Sequence, residues 1–272
     1  MATKSITSKL PLWKWVLLMV GLFILAIVGN GILQSLAFAT ISAGFPLLNV
    51  VLAAAYLVIY ALFVKWLERH WPTDLPLRRL ASHTLLGLII GFVFMVMVIA
   101  TITAMGCANE YWAAFSWNGQ FQALMLFLVV AVTEEVACRG VLFRLIDQRW
   151  GTIAALVVSA LIFGFGHLPN DNATWWSSLA IAIEAGLLLG AAYKWSGNLW
   201  LPIGIHWAWN YTQGNIFGLE VSGVAMGEHV ISTTVNGPDI ITGGAFGPEA
   251  SIVCVFFGLL LTIFFLTNCY RR

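Results

Sequence analysis

The chain has 272 residues, of which 60% are apolar and 9% charged, with a mean hydropathy of +0.90. An average soluble domain carries roughly 25% charged residues. The composition therefore excludes an ordinary water-soluble globule and makes the lipid bilayer the first partner of this chain. Its 13 Lys and Arg nearly balance its 12 Asp and Glu, and without a basic stripe nucleic acid is not a partner.

A helix that crosses a bilayer needs about 20 mostly apolar residues. Runs of that kind, bounded by charge, Pro or Gly, fall at residues 12–39, 46–66, 84–105, 122–139 with a polar extension to 150, 152–166, 176–195, 199–217 and 251–268. This predicts an all-α, polytopic membrane bundle of about eight transmembrane helices in a single domain, 1–272. Between the last two spans, residues 218–250 are rich in Gly, Ser and Thr and read as an extracytoplasmic loop. At the N-terminus, a basic start and Ala37-Phe38-Ala39 resemble a signal-peptide cleavage region. The apolar stretch before it is longer than the usual 7–15 residues of a signal peptide, so the first helix is expected to stay.

Charge placement tests the segmentation independently. Taking alternate loops as cytoplasmic puts all 13 basic residues on one side: Lys4, Lys9 and Lys14; Lys65, Arg69, Arg78 and Arg79; Arg139, Arg144 and Arg149; Lys194; Arg271 and Arg272. The other loops hold Glu110, Asp171, Glu220, Glu228, Asp239 and Glu249, whereas Glu68, Asp74 and Asp147 accompany the basic loops. This is the positive-inside pattern, and it places both termini in the cytoplasm. The cysteines, Cys107, Cys138, Cys254 and Cys269, have neither metal-knuckle nor disulfide-framework spacing and read as free thiols.

Polar residues inside the spans are the informative ones, because an ionised group at the bilayer centre costs at least ~2.5–3.5 kcal/mol. Glu134-Glu135 with Arg139 ends the apolar part of the fourth span, Phe163 and His167 end the fifth, and His206 with Asn210 lies in the seventh. Residues four apart share a helix face, so Glu135 can pair with Arg139 while Glu134 points elsewhere, and His206 sits one turn from Asn210. At 1.5 Å per residue, Glu134 lies ~18 Å below the outer start of its span. His167 lies roughly 22 Å, and His206 with Asn210 roughly 10–16 Å, above their inner starts. One buried layer can therefore hold them all. A buried carboxylate suits a general base acting on water, an imidazole beside it can hold that water or a metal, and His with Asn can donate to a developing oxyanion. The competing structural readings are an ion-pair network of Glu134 and Glu135 with Arg139 and Arg144, a capping role for His167, and interhelical hydrogen bonding by His206 and Asn210.

In order, spacing and placement on consecutive apolar helices, Glu134-Glu135-x-x-x-Arg139, Phe163-x-x-x-His167 and His206-x-x-x-Asn210 resemble the motifs of the CPBP family, the CAAX proteases and bacteriocin-processing enzymes (Abi), of the type II CAAX prenyl endopeptidase kind. Gly197-Asn198-Leu199-Trp200-Leu201-Pro202 is similar to that family's lead-in to its last motif. The likeness spans residues 121–217, the expected catalytic core. It implies an intramembrane endopeptidase with a cavity opening toward the cytosol and a multi-pass place in a membrane, here a bacterial plasma membrane. Water would be activated by Glu134 with His167, the oxyanion hole would come from His206 and Asn210, and Glu135 and Arg139 would support geometry and charge. The resemblance also admits Zn2+ held by Glu134, His167 and His206, beside a metal-free glutamate mechanism. It implies a membrane-associated peptide or lipidated, CAAX-like protein as substrate, with bacteriocin immunity among the roles of bacterial members. A transporter relaying protons through Glu134, Glu135, His167 and Glu184, or a non-catalytic scaffold of the same fold, are the competing expectations; Glu184 has no role in the protease reading.

Overall fold

The structure, a computed structural model, describes residues 10–269. All the expected spans are helical. Helix α1 is Leu12–Ser42, α2 Leu48–Glu68, α3 Leu80–Ala104 and α4 Trp117–Trp150; α5 is Thr152–Gly166, α6 Trp175–Ser196, α7 Trp200–Tyr211 with a wider-wound extension Thr212–Ile216, and α8 Ile252–Cys269. In hydrocarbon no water can satisfy a free peptide group, so such apolar runs have little choice but helix. Breaks fall where the chain can turn cheaply: Gly151 between α4 and α5 and Gly197 between α6 and α7 both adopt positive φ.

Among the described residues, six helices are long and apolar enough to cross a membrane, against the eight spans expected. The two that fall short are α5, with 15 residues, and α7. For α7, its position explains the shortfall. Helix α7 is buried along almost its whole length, from Trp200 through Asn210, so its neighbours, not its own apolar run, separate it from lipid. Helix α3 crosses α7 with backbones nearly touching: a Cβ at Gly87 would lie 2.8 Å from the Ile205 nitrogen, and one at Gly204 3.0 Å from the Gly87 Cα. Gly87 and Gly91, one turn apart, form the small-residue stripe that lets membrane helices approach this closely.

Three helices relax into π-wound stretches, Val136–Phe143 in α4, Ala182–Leu187 in α6 and Thr212–Ile216 at the end of α7. Such widened turns concentrate at functional positions because they redirect side chains and free carbonyls. The first follows directly on Glu134-Glu135 and contains Arg139; the third starts just past Asn210.

Segment 218–250 is more ordered than a flexible loop. Strand β1 (Ala108–Trp112) and strand β2 (Ile231–Val235) pair antiparallel, Ala108 opposite Val235 and Trp112 opposite Ile231. The β-branched run Ile231-Ser232-Thr233-Thr234-Val235 favours that conformation. Residues 221–226 turn back over the bundle, tied by the Gly223 amide to the Phe246 carbonyl at 2.8 Å and by the Asn170 amide group to the Ser222 carbonyl at 2.9 Å.

At the opposite end the acids that accompany the basic loops are part of the packing. Glu68 and Asp74 are buried. Arg144 donates to Glu68 at 2.6 Å, Tyr60 and Tyr193 both donate to Asp74 at 2.7 and 3.0 Å, and Lys194 pairs with Asp147 at 2.7 Å. The four cysteines are free, with Cys138 and Cys254 buried.

Candidate active site

Glu134 and Glu135 are consecutive on α4, so about 100° of helical rotation separates their side chains, and they enter different surroundings. Glu135 is fully buried. It accepts from Arg139 Nη1 at 2.8 Å and from His206 Nδ1 at 2.9 Å through the same oxygen. Arg139, also fully buried, donates from Nη2 to the carbonyls of Ala185 and Gly186 at 3.3 and 3.2 Å, within the widened turn of α6. Its guanidinium lies 4.6 Å from the centre of the Phe163 ring. A buried ion pair is a poor source of stability because desolvation cancels most of the attraction. This one instead ties α4, α6 and α7 together around one imidazole.

That imidazole is positioned from both sides. A carboxylate can only accept, so His206 carries its proton on Nδ1 toward Glu135 and directs Nε2 to the cavity, where Glu134 Oε2 lies 3.9 Å away. His167 shows the same logic at the C-terminal end of α5. Its Nδ1 lies 2.8 Å from the Phe163 carbonyl, which also only accepts, so Nδ1 holds a proton and Nε2 is the nitrogen left for other partners. The Phe163 ring stacks edge-on with both imidazoles, 4.9 Å from His167 and 6.1 Å from His206 between centroids. The spacing of Phe163 before His167 thus has a packing reason: one aromatic ring touches both histidines and the arginine.

Glu134, His167, His206 and Asn210 line one cavity of about 550 Å³. Glu135 and Arg139 stand behind its wall and reach it through His206. Glu184 is not among the lining residues; it is buried in α6 against α8, with Cys254 Sγ 3.6 Å from its carboxylate. Glu184 therefore lies outside the cavity that Glu134 lines.

Two parts of the wall were not foreseen from sequence. Helix α1 contributes Phe23, Ile27, Asn30, Gln34 and Phe38, a single face at helical spacing. From it, Gln34 Nε2 donates to Glu134 Oε1 at 3.1 Å and to Asn30 Oδ1 at 2.8 Å, while Asn30 Oδ1 also accepts from Thr133 Oγ1. A pair of amides four residues apart in a largely apolar helix was the available signal. The 218–250 segment supplies the other part, Val221, Ser222, Val224, Met226 and Glu249. Glu249 was grouped with the acids of the outer loops, yet it is buried, and its Oε2 accepts from the Ser222 hydroxyl at 3.0 Å and from the Ser222 amide. Burial pushes its carboxyl above the ordinary range, and the Ser222 donors and nearby His167 offset part of that. The cavity thus extends to residues 221–226, on the side of the acidic loops.

A catalytic zinc needs three protein ligands around one point. Among the described residues no three His, Cys, Asp or Glu side chains gather to hold a metal ion, so Glu134, His167 and His206 do not fit that requirement as placed.

Residues 116–212 match the family model described as Rce1-like, type II CAAX prenyl endopeptidase. No curated protein and no solved structure matches the chain. The matched stretch runs from the cap of α4 through α7 and contains Glu134, Glu135, Arg139, Phe163, His167, His206 and Asn210. The cavity and its motifs thus sit in an integral, multi-pass membrane protein that, over residues 116–212, is similar to the Rce1-like type II CAAX prenyl endopeptidases.

Proposed function

We propose that this protein hydrolyses a peptide bond of a membrane-associated peptide or lipidated, CAAX-like protein, with Glu134 as the base that activates water. The observation that carries this reading is the split between the two adjacent glutamates. Glu135 is committed to Arg139 and His206, while Glu134 turns one oxygen, Oε2, toward His206 Nε2 at 3.9 Å on the wall of a cavity shared with His167 and Asn210. A 3.9 Å gap is too long for a direct hydrogen bond and leaves room for a bridging group.

Water held by Glu134 and the free Nε2 of His167 gives a proton to Glu134 as its oxygen bonds to the scissile carbonyl carbon. Negative charge then develops on the carbonyl oxygen. Asn210 can donate to it through its amide, and His206, flanked by two carboxylates, can hold a second proton on Nε2 and donate from there. Collapse breaks the C–N bond as Glu134 passes its proton to the leaving amine, and the new acid ionises. The apolar remainder of the wall, Phe23, Ile27, Leu126, Phe127 and Val130 among it, suits apolar side chains or a lipid chain.

Cleavage of a farnesylated CAAX-type peptide by the purified protein in vesicles tests this, with the unprenylated peptide alongside. Asn210→Ala is expected to lower kcat by about 10²-fold, the usual loss for one oxyanion donor, with folding intact; an unchanged kcat would remove Asn210 from the proposed site. For the metal, exhaustive chelation checked by elemental analysis is expected to leave cleavage intact, whereas activity lost on chelation and restored by Zn2+ would contradict a glutamate mechanism without metal.

A further inference from the structure

We infer that Gln34 of α1, far outside the matched stretch, is a positioning residue for Glu134: it fixes one carboxylate oxygen so that the other faces the reacting water. This rests on the reading of Glu134 as the base. The contact geometry separates the two oxygens, since Oε1 receives the Gln34 amide at 3.1 Å and Oε2 is the atom nearest His206 Nε2. Gln34 is itself held, because its other amide hydrogen goes to Asn30 Oδ1 at 2.8 Å and Asn30 is anchored to Thr133, the residue before Glu134. The chain of contacts thus leaves α4 at Thr133, runs through α1 and returns to α4 at Glu134.

Without that donor the glutamate has few constraints. Among the described residues no second hydrogen bond reaches its carboxylate, since His206 Nε2 stays 3.9 Å away, and Glu135 and Arg139 are occupied with each other. An unheld side chain divides its time among staggered rotamers, and misplacing a base by about 1 Å costs on the order of 10²-fold in rate. The amide also suits its place. Helix α1 is buried only at Trp15, Ala26 and Ala37 and is otherwise largely exposed on the periphery, where a neutral donor is far cheaper than a Lys or Arg.

The test uses the full chain in vesicles with the farnesylated peptide. Gln34→Met keeps length and removes the donor; the expected result is kcat lowered about tenfold, with KM within twofold and the unfolding temperature unchanged. Gln34→Glu separates positioning from packing. The introduced carboxyl can donate only while it holds a proton, so this variant is expected to lose less activity at pH 6 than at pH 8, a slope that a packing role would not produce. A lowered unfolding temperature with kcat per folded molecule unchanged would overturn the inference, as would equal losses for Gln34→Glu at both pH values. Isotope-edited infrared spectroscopy gives a readout independent of activity. The carboxylate band that disappears in Glu134→Gln is expected to shift in Gln34→Met, and an unshifted band contradicts the contact. Should Glu134→Gln cleave normally, the proposed base is wrong; should the band still shift, the contact itself stands.

Discussion

Helices α1 and α4 face each other across the same cavity and are built on opposite terms. Most of α4 is inside the protein, and each charged group near its middle has a partner from another helix: Glu135 has His206 of α7, Arg139 has carbonyls of α6, and Glu134 has Gln34 of α1. Helix α1 is mostly exposed and carries no charge among its cavity residues, only the amides Asn30 and Gln34. Polarity is therefore graded by how many helices surround it. A charge is tolerable where at least two neighbours can answer it, and at the rim only a neutral donor is.

That grading sets the order of the expected losses. Largest is Glu134→Gln, which keeps shape and removes the base; cleavage is expected to fall by about 10³-fold, within the usual worth of a general base, with the unfolding temperature near the parent value. Next is Arg139→Ala. It leaves the buried Glu135 carboxylate without its cation, with His206 as its remaining partner, and is expected to destabilise the fold by about 3–5 kcal/mol, read as a lower unfolding temperature in detergent. Replacing the pair together, Arg139→Met with Glu135→Gln, is expected to restore much of that stability but little activity, because His206 then loses the carboxylate that orients it. If the double variant cleaves as well as the parent, the bracing role is wrong.

Gly91→Val follows. A Cβ there would lie 3.0 Å from the Ile205 carbonyl carbon and closer still to its oxygen, so α3 and α7 must part, at about 1–3 kcal/mol for an overpacked contact. Smallest is Leu25→Ala on the outer face of α1, where the side chain is 61% exposed. A surface change of this kind is expected to stay within about 0.5 kcal/mol. A large effect at Leu25 would mean that the outer face of α1 is covered by something in the membrane.

The spans and the motif residues were readable because both follow from the cost of polarity in hydrocarbon. Apolar runs long enough to cross mark helices, and Glu134, His167, His206 and Asn210 stand out against them. Which of two adjacent glutamates faces the cavity was readable in part, from the four-residue spacing of Glu135 and Arg139. Gln34 was marked only by its four-residue spacing from Asn30, which says nothing of its partner 100 residues away in the chain. Glu249 was missed for a different reason. It lies in a Gly-rich stretch that resembles a solvated loop, and nothing local indicates that 221–226 folds back over the cavity and buries it. The shortness of α5 was visible in the 15-residue run 152–166, whereas the enclosure of α7 by its neighbours is a property of packing.

The central claim is that Glu134 delivers water to a peptide bond, and cleavage in H₂¹⁸O tests it most directly. The protein and its Glu134→Gln variant, shown equally folded, are each given the farnesylated peptide, and the products are weighed by mass spectrometry. The account predicts one ¹⁸O atom in the new carboxylate from the parent and no product above background from the variant. Labelled product from Glu134→Gln at the parent rate would contradict it.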